Sequence, residues 1–329
     1  MRLIMPKLVT LALLLLVAVS PAHGEWVRVS GTAMTTEIDM EYWAADPEAA
    51  EQAGEAVLEL FRQIDRQMTR YQDDSELSRL NRRAAREPVK VSDSLFQVLQ
   101  RAVEVSELSQ GAFDISFGSV GYFYDFREKR QPTGEELAAG LPSVNYRSIV
   151  LDPDARTVRF LDEGIRLDLG GIAKGYAVDR GIAILESFGI RNARLSAGGD
   201  MRLLGDRRGK PWIVGIRDPR SENRNALVMP LADVAVSTSG DYERFFTDES
   251  GERIHHILSP ATGKPARGVQ SVTVLGSDTL TTDGLSTAVF VLGAAEGLAL
   301  INSLPGVDAV IIDEKRQVHY SEGLMPPGD

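Results

Sequence analysis

The 329-residue sequence contains no cysteine and only four histidines. Without cysteine the chain cannot form disulfide bridges or carry a lipid on an N-terminal cysteine. Its stability must therefore come from its core, and 43% hydrophobic residues are sufficient for one large or two moderate domains. The Gly-x-Ser-x-Gly elbow of serine hydrolases and the His-Glu-x-x-His motif of zinc peptidases are also absent, which removes the main support for those two classes.

Positive charge is scarce as well. The 36 lysines and arginines face 47 aspartates and glutamates, which gives a formal net charge of −11. No segment resembles a basic face that follows the phosphates of a nucleic acid, so we expect no nucleic-acid partner. An anionic small ligand would therefore need local cations or a metal ion.

An apolar run from Leu8 to Val19 follows the basic residues Arg2 and Lys7 and precedes Gly24. This order predicts a secretory signal peptide over residues 1–24, although an uncleaved anchor is the alternative. No later segment has about 18 continuous apolar residues, the length that spans a bilayer. We therefore expect an exported, periplasmic protein that is soluble or loosely membrane-associated. Removal of the signal peptide takes the formal charge to −13.

The hydrophobic periodicity predicts an α+β protein rather than a regular alternation of strands and helices. Helices are predicted over residues 47–71, 93–108, 173–188 and 281–292, with Ser92 or Asp93 as the cap of the second. Strands are predicted over residues 26–41, 149–151, 158–161, 165–167, 212–217, 227–231, 234–237, 254–258 and 272–275. Residues 25–329 are predicted to form a single domain, in which any change of subdomain would fall near residues 127–148.

The stretch Asp168–Asp179 joins an apolar segment to paired glycines and then to a helix. Free N–H groups at the helix start, together with the Lys174 ammonium, favour a phosphate group. The pattern is neither a P-loop nor Gly-x-Gly-x-x-Gly, so it does not indicate a standard nucleotide fold. A tight strand-to-helix turn with a solvated lysine explains the same residues equally well.

His255 and His256 are the candidate catalytic histidines, because His23 leaves with the signal peptide and His319 lies in a polar C-terminal strand. Successive strand residues face opposite sides, so only one of the pair can point into a given site. A histidine at a strand end beside a loop is suited to act as a general base near neutral pH. A hydrogen-bonded structural histidine is the alternative.

Two further polar clusters are candidates for ligand binding. Asp283 and Thr287 are four residues apart at a helix start, so their oxygens lie on one face. A carboxylate and a hydroxyl suit Mg²⁺, which prefers hard oxygen ligands and leaves room for substrate phosphates, but an ordinary helix cap would use the same residues. The stretch Val236–Arg244 is either a ligand cradle or a plain turn.

Taken in order, these segments resemble the ApbE family, the FAD:protein FMN transferases of bacterial envelopes. The matching blocks are Gly31–Met34, Met68–Tyr71, Asp74–Ser78 with Asn81, Gly111–Asp114, Asp168–Asp179, Ser196–Asp200, Ser237–Arg244, His256–Pro260 and Asp283–Phe290. They span nearly the whole mature chain. Each block alone is weak, whereas the ordered set is specific.

The resemblance implies mixed or antiparallel sheets flanked by helices, with a larger helical-plus-sheet part and a smaller β-rich part around a central site for FAD and Mg²⁺. It implies transfer of FMN from FAD to a threonine or serine hydroxyl of an acceptor protein, with release of AMP. The implied acceptor is an envelope electron-transfer subunit of the Rnf, Nqr or nitrous-oxide-reductase maturation type. A Mg²⁺-dependent FAD pyrophosphatase and a non-catalytic periplasmic flavin-binding protein are the alternatives.

The resemblance also implies roles for individual residues. The residues at positions that contact FAD are Met34, Tyr71, Phe113, Asp114, Asp168 and Lys174, with Tyr71 against the flavin. The implied Mg²⁺ ligands are Asp283, Thr287 and the backbone carbonyl of Gly171, where relatives often have alanine. His256 would deprotonate the acceptor hydroxyl. The chain departs from the family pattern at Ser259, where aspartate or asparagine is usual, and in lacking the lipobox cysteine of many members.

Overall fold

A computed structural model of the chain describes residues 24–221 and 223–325. The predicted signal peptide lies outside these residues except for Gly24, and it stays a prediction. The helices are α1 (Pro47–Met68), α2 (Glu76–Arg83), α3 (Asp93–Leu108), α4 (Gly118–Gly121), α5 (Gly134–Gly140), α6 (Ala173–Ser187) and α7 (Thr279–Asn302). Short 3₁₀ helices cover Ile115–Phe117, Leu141–Ser143, Tyr146–Ser148 and Glu322–Leu324.

The strands of the described residues form four sheets. They are β1 (Glu25–Ala33), β2 (Thr36–Ala44), β3 (Val89–Lys90), β4 (Ile149–Asp152), β5 (Thr157–Phe160), β6 (Ala193–Ala197), β7 (Asp200–Leu204), β8 (Trp212–Arg217), β9 (Asn225–Leu231), β10 (Ala235–Gly240), β11 (Phe245–Thr247), β12 (Arg253–His255), β13 (Val269–Gly276), β14 (Asp308–Asp313) and β15 (Val318–Tyr320).

An eight-stranded sheet with the order β1-β2-β6-β7-β10-β13-β14-β15 forms the centre of the fold. Every neighbouring pair in it is antiparallel. Strand β13 is buried along its whole length, because α7 packs against it and against β10. Helix α6 packs between α7 and α1. The predicted α+β class, with antiparallel sheets flanked by helices, is confirmed.

The smaller sheets lie outside this layer. They are the three-stranded sheet β3-β5-β4 and the hairpins β8-β9 and β11-β12. A small apolar cluster of Tyr124, Phe246, Ile254 and Leu258 underlies β11-β12. In β8 the side chains alternate between buried and exposed, and this alternation is the reason why the prediction for residues 212–217 has the correct ends.

Two strand predictions are wrong. Residues 26–41 are not one strand but the hairpin β1-β2, which turns at Met34 and Thr35 with φ of 52° and 59°. Because neither residue is a glycine, the sequence carries no turn signal there. Residues 165–167 join no sheet: Leu167 instead exchanges two hydrogen bonds with the Asn81 side chain, at 2.8 and 3.0 Å.

Helix α7 is longer than predicted at both ends. Asp278 caps its start by accepting a hydrogen bond from the Thr281 amide at 2.8 Å, and the helix continues past a break at Gly293, where φ is 82°. Among the described residues it is the one helix long and apolar enough to cross a membrane by length and composition alone. In the structure it packs against β10, β13, α3 and α6.

The segment near residues 127–148 contains α5 and two 3₁₀ helices. Thr133 and Glu136 form a reciprocal cap at the start of α5. A change of subdomain at this segment remains a prediction.

Candidate active site

One cavity of about 350 Å³ brings together every residue predicted for the site. Its lining includes Met34, Tyr71, Phe113, Asp114, Asp168, Gly171, Lys174, His256, Asp283 and Thr287. The volume falls within the range of small-molecule and cofactor sites, about 300–1,000 Å³. Residues that are up to 253 positions apart in the chain thus line one cavity.

The segment that enters α6 is held by side chains rather than by a sheet. The Asn81 bonds fix Leu167, and the Asp168 amide donates to the Ile115 carbonyl at 2.9 Å. The Asp168 carboxylate then accepts a hydrogen bond from the Gly170 amide at 2.8 Å, which closes the turn. These bonds satisfy the backbone of a segment that would otherwise be buried without partners.

The starts of α6 and α7 cap each other. No side chain of the residue before α6 caps it; instead the Gly175 amide donates to Oδ2 of Asp283, in α7, at 2.9 Å. In return, Asp179 of α6 accepts from the amides of Thr279 and Leu280 at 2.9 and 2.8 Å. A Cβ at position 175 would lie 2.2 Å from the Thr279 carbonyl oxygen, so this close approach requires glycine.

Two buried carboxylates flank the Lys174 ammonium. Lys174 Nζ lies 2.5 Å from Oδ2 of Asp200 and 3.5 Å from Oδ2 of Asp283. Burial alone would lower the pKa of Lys174, but the two carboxylates raise it overall, so the ammonium stays charged. Burial raises the pKa of Asp283, and the negative charge of Asp200 raises it further. A bound cation would favour the ionised form of Asp283.

The donor atoms predicted for Mg²⁺ lie on adjoining elements. Thr287 follows Asp283 by one turn of α7, and a Cβ at Gly171 would lie 3.3 Å from Thr287 Oγ1. Among the described residues no group of three or more histidine, cysteine, aspartate or glutamate residues could hold a metal. The set is instead a carboxylate, a hydroxyl and a backbone carbonyl. Because all three are hard oxygen donors, which Mg²⁺ prefers, they fit Mg²⁺.

His256 faces the cavity, whereas His255 does not line it within the described part of the chain. Strand β12 ends at His255, whose Nε2 lies 2.9 Å from the Ala266 carbonyl oxygen and whose ring packs edge-on against Phe290. Nδ1 of His256 lies 3.2 Å from the Arg244 carbonyl oxygen. When Nδ1 carries the proton and donates to that oxygen, Nε2 keeps its lone pair for a substrate.

Burial lowers the pKa of His256 below its usual range, and the positive charge of Arg244 lowers it further. The imidazole is therefore neutral at pH 7 and able to accept a proton. The strand predicted over residues 254–258 is wrong at its C-terminal end, because β12 ends at His255 and His256 belongs to the loop that follows.

Tyr71 stands at the mouth of the cavity, with 69% of its surface exposed. The Arg70 guanidinium lies 4.5 Å from the centre of the Tyr71 ring and 4.4 Å from that of Tyr122. Arg70 also forms an ion pair with Asp168, with 2.9 Å between Nε and Oδ2. The cation–π contact with Arg70 restrains the Tyr71 ring, which stays largely exposed.

Met34, Phe113 and Asp114, the remaining predicted FAD contacts, differ in the hydrogen bonds that they form within the protein. The Met34 amide donates to Oδ2 of Asp65 at 2.9 Å, which holds the β1-β2 turn against α1. Phe113 is an apolar wall residue with 4% exposure. The Asp114 carboxylate accepts hydrogen bonds from the Ser116 amide and hydroxyl and from the Tyr146 amide, while burial raises its pKa. A direct contact of Asp114 with FAD stays a prediction.

The sequence reading missed Arg70 and Asp200 as site residues. Both lie in blocks that carried the resemblance, next to Tyr71 and after the Gly198-Gly199 pair, so the blocks were the available signal. Neither has a local pattern that indicates its partner, since Asp200 and Lys174 are 26 residues apart.

Comparisons with known proteins show the family and the fold of the chain. Residues 34–311 match the ApbE family. The chain is 35% identical over 289 residues to the FAD:protein FMN transferase of Treponema pallidum (strain Nichols), covering 82% of this chain and 80% of that protein. It is 33% identical over 332 residues to the FAD:protein FMN transferase of Vibrio cholerae, covering 97% and 98%.

The fold is also similar to solved structures. The crystal structure of the ApbE protein of Thermotoga maritima matches with a TM-score of 0.83 at 33% identity, covering 91% of this chain and 98% of that one. The predicted ApbE-type fold is thereby confirmed. The chain therefore belongs to the ApbE family, and it is an enzyme of the transferase class.

Proposed function

We propose that this chain transfers the FMN half of FAD to a threonine or serine hydroxyl of an acceptor protein, in a Mg²⁺-dependent reaction that releases AMP. One observation carries the proposal: a neutral histidine, a lysine ammonium and a set of hard oxygen donors face the same cavity. A protein that only binds flavin would not require these three groups in combination. Phosphoryl transfer requires a base for the nucleophile and positive charge around the phosphates.

The chemistry assigned to the chain's own residues is a proton transfer and an electrostatic clamp. His256 Nε2 accepts the proton of the acceptor hydroxyl, whose oxygen forms a bond to the phosphorus of the FMN phosphate. The bond from that phosphorus to the bridging oxygen breaks, and AMP leaves with the electron pair. Lys174 would offset the negative charge of the pyrophosphate. Mg²⁺, when held by Asp283, Thr287 and the Gly171 carbonyl, supplies further positive charge at the same phosphates.

The flavin is assigned to the mouth of the cavity. Tyr71 offers an exposed aromatic face there, and Arg70 holds the ring from behind. A planar isoalloxazine stacks on such a face with little loss of conformational freedom. The pyrophosphate would then extend inward toward Lys174 and Asp283, and the acceptor would approach His256.

The location and the acceptor are also proposals. The signal-like residues 1–24 support export to the periplasm. We propose an envelope electron-transfer subunit as the acceptor, of the Rnf, Nqr or nitrous-oxide-reductase maturation type. This choice is supported by the family resemblance.

The test is incubation of the enzyme with FAD, Mg²⁺ and a domain that bears a flavinylation threonine, followed by mass spectrometry of the acceptor and chromatography of nucleotides. We expect an acceptor mass increased by that of FMN less one water, and an amount of AMP equal to that of the adduct. AMP and free FMN without an adduct would establish a pyrophosphatase in place of the transferase. Bound FAD with no AMP would establish a flavin carrier.

Replacement of the histidine separates catalysis from binding. We expect His256→Ala to lower adduct formation by about 10²- to 10⁴-fold, the usual contribution of a general base, with little change in FAD affinity. His319→Ala is the matched control, because His319 pairs with Asp313 on β14, outside the cavity. An equal loss of FAD affinity and of transfer in His256→Ala would contradict the assigned role.

A further inference from the structure

Three elements converge on the Lys174 ammonium. Lys174 lies in the first turn of α6, Asp200 begins β7, and Asp283 lies in the second turn of α7. The ammonium is 1 Å closer to Asp200 than to Asp283, with distances of 2.5 and 3.5 Å. Asp200 is 2% exposed and is not among the described residues that line the cavity. It therefore contacts Lys174 without facing a substrate.

The backbone of Asp200 is fixed by strand pairing on both sides. It pairs with Ala197 of β6 across a tight turn and with Ser237 of β10 on its other side. A Cβ at Gly199 would lie 2.3 Å from the Thr238 carbonyl oxygen, so the turn is pressed against β10. The Asp200 carboxylate is thus fixed by the central sheet, whereas the lysine stem is long and flexible.

The second carboxylate is a competing partner for the ammonium. Oδ2 of Asp283 already accepts the Gly175 amide and forms an ion pair with Lys174 Nζ at 3.5 Å, and a movement of about 0.5 Å would shorten that ion pair to a hydrogen bond. Such a hydrogen bond would compete with a divalent cation for the same carboxylate more strongly than the present longer contact does. The shorter pairing of Lys174 with Asp200 opposes that movement.

We propose that Asp200 is a positioning residue that holds the Lys174 ammonium beyond hydrogen-bond distance of Asp283 and thereby keeps Asp283 available to the metal. This inference rests on the proposed Mg²⁺ site. It assigns to the Gly198-Gly199-Asp200 segment the role of positioning Lys174. Asp200 acts through Lys174, so its removal changes metal affinity without removing any metal ligand.

The test uses the full chain without flavin and Mn²⁺ as the probe, with free Mn²⁺ measured by electron paramagnetic resonance. We expect Asp200→Asn to weaken Mn²⁺ binding by about 10-fold or more, as for other residues that orient metal ligands. The double variant Asp200→Asn with Lys174→Met lacks the competing ammonium, and we expect its affinity to return to within about threefold of wild type. A double variant that binds as weakly as Asp200→Asn would overturn the inference.

A second readout is needed because loss of the Asp200 charge also weakens a nearby cation through space. A crystal structure of metal-free Asp200→Asn is expected to show Lys174 Nζ within about 3.2 Å of Asp283. An ammonium that stays in place while affinity falls would overturn the positioning role and leave only a through-space effect. Asp200→Glu keeps the charge and the pairing, so we expect it to bind Mn²⁺ within about threefold of wild type.

Two controls separate this inference from the proposed function. Wild-type protein that binds no Mn²⁺ would overturn both, whereas normal binding with no effect of Asp200→Asn would overturn the inference alone. Melting of the metal-free variants shows whether they fold. Should Asp200→Asn fail to fold, Asp200→Ser is measured in its place, alone and with Lys174→Met, and the same outcomes decide.

Discussion

The starts of α6 and α7 are capped by the same kind of interaction, but the two capping carboxylates differ in their other contacts. In both, a carboxylate from the other helix accepts backbone amides at the first turn. Asp179 uses both oxygens for this purpose, Oδ1 for Thr279 and Oδ2 for Leu280. Asp283 uses Oδ2 for both Gly175 and Lys174, and its side chain lines the cavity. Both oxygens of Asp179 therefore accept backbone amides, whereas Asp283 accepts a backbone amide through one oxygen only.

Because of this difference, one of the two capping carboxylates, Asp283, is also available as a ligand in the proposed metal site. Burial raises the pKa of both acids, and a neighbouring carboxylate raises each further; the effect of Asp278 on Asp179 is weaker than those of the hydrogen bonds that Asp179 accepts, whereas the effect of Asp200 on Asp283 is second only to burial. An acid held at a helix start in this way is difficult to ionise until a cation arrives. The architecture of the helix pair and the proposed metal site therefore share a residue.

The largest expected effect is that of Asp283→Asn. The amide oxygen can still accept the Gly175 amide, but the charge for the metal is lost. We expect AMP release at saturating FAD to fall by about 10³-fold, which corresponds to about 4 kcal/mol. The unfolding free energy of the metal-free protein should fall by less than about 1 kcal/mol. Retention of a tenth of the activity would contradict the division between the two acids.

Asp179→Asn should show the reverse pattern. One of its two acceptor oxygens becomes an NH₂ group that faces a backbone N–H, so we expect the free energy of unfolding in urea to fall by about 1–3 kcal/mol. The Mg²⁺ concentration for half-maximal activity should stay within about twofold of wild type. A large loss of metal affinity at unchanged stability would mean that the two helix starts do not differ as described.

The pH dependence of stability tests the surroundings of the α6 start, whose Lys174 charge also contributes to lowering the pKa of His256. The unfolded chain protonates His256 below about pH 6.5, whereas the folded chain does so only at lower pH. Stability is therefore lost as the pH falls below about 6.5, by at most about 1.4 kcal/mol per pH unit for this residue. We expect His256→Gln to lose less stability than wild type between pH 7 and pH 5 in urea denaturation. Parallel curves would contradict the lowered pKa.

Gly171→Ala should have the smallest effect. The new methyl group would lie 3.3 Å from Phe113 Cε2 and from Thr287 Oγ1, a tight contact that small shifts can relieve. Because the predicted ligand is the carbonyl oxygen, the side chain should not matter, and we expect kcat to change by less than about threefold, or about 0.6 kcal/mol. A loss beyond tenfold would show that the space beside Thr287, rather than the carbonyl, limits the site.

The sequence predicted the fold best where a local pattern coincides with burial. Helix α3 begins and ends at the predicted residues, because Ser92 caps it and one face is uniformly apolar. The hairpin turn at Met34 was missed because left-handed backbone at a non-glycine residue has no composition signal. The false strand at residues 165–167 has the apolar composition of a strand, but the Asn81 side chain replaces the neighbouring strand.

The site could be predicted only through the order of its blocks. Each block alone was equally compatible with a turn or a cap, and the structure shows why: Asp283 does cap a helix, but it is α6 and not its own. Lys174 and Asp200 are 26 positions apart and Gly175 and Asp283 are 108 positions apart, and these separations are bridged by tertiary contacts that local periodicity does not encode.

The mutual capping of α6 and α7 also bears on the order of folding. The Gly175 amide of α6 and the Thr279 and Leu280 amides of α7 find their carboxylate partners only after the other helix has docked, across 100 to 108 residues of chain. Contacts of such long sequence separation form late, because the loop between them must close first. Each helix can begin alone, but neither start is complete alone. A chain in which these two helices have not docked would therefore lack the proposed site for flavin and metal.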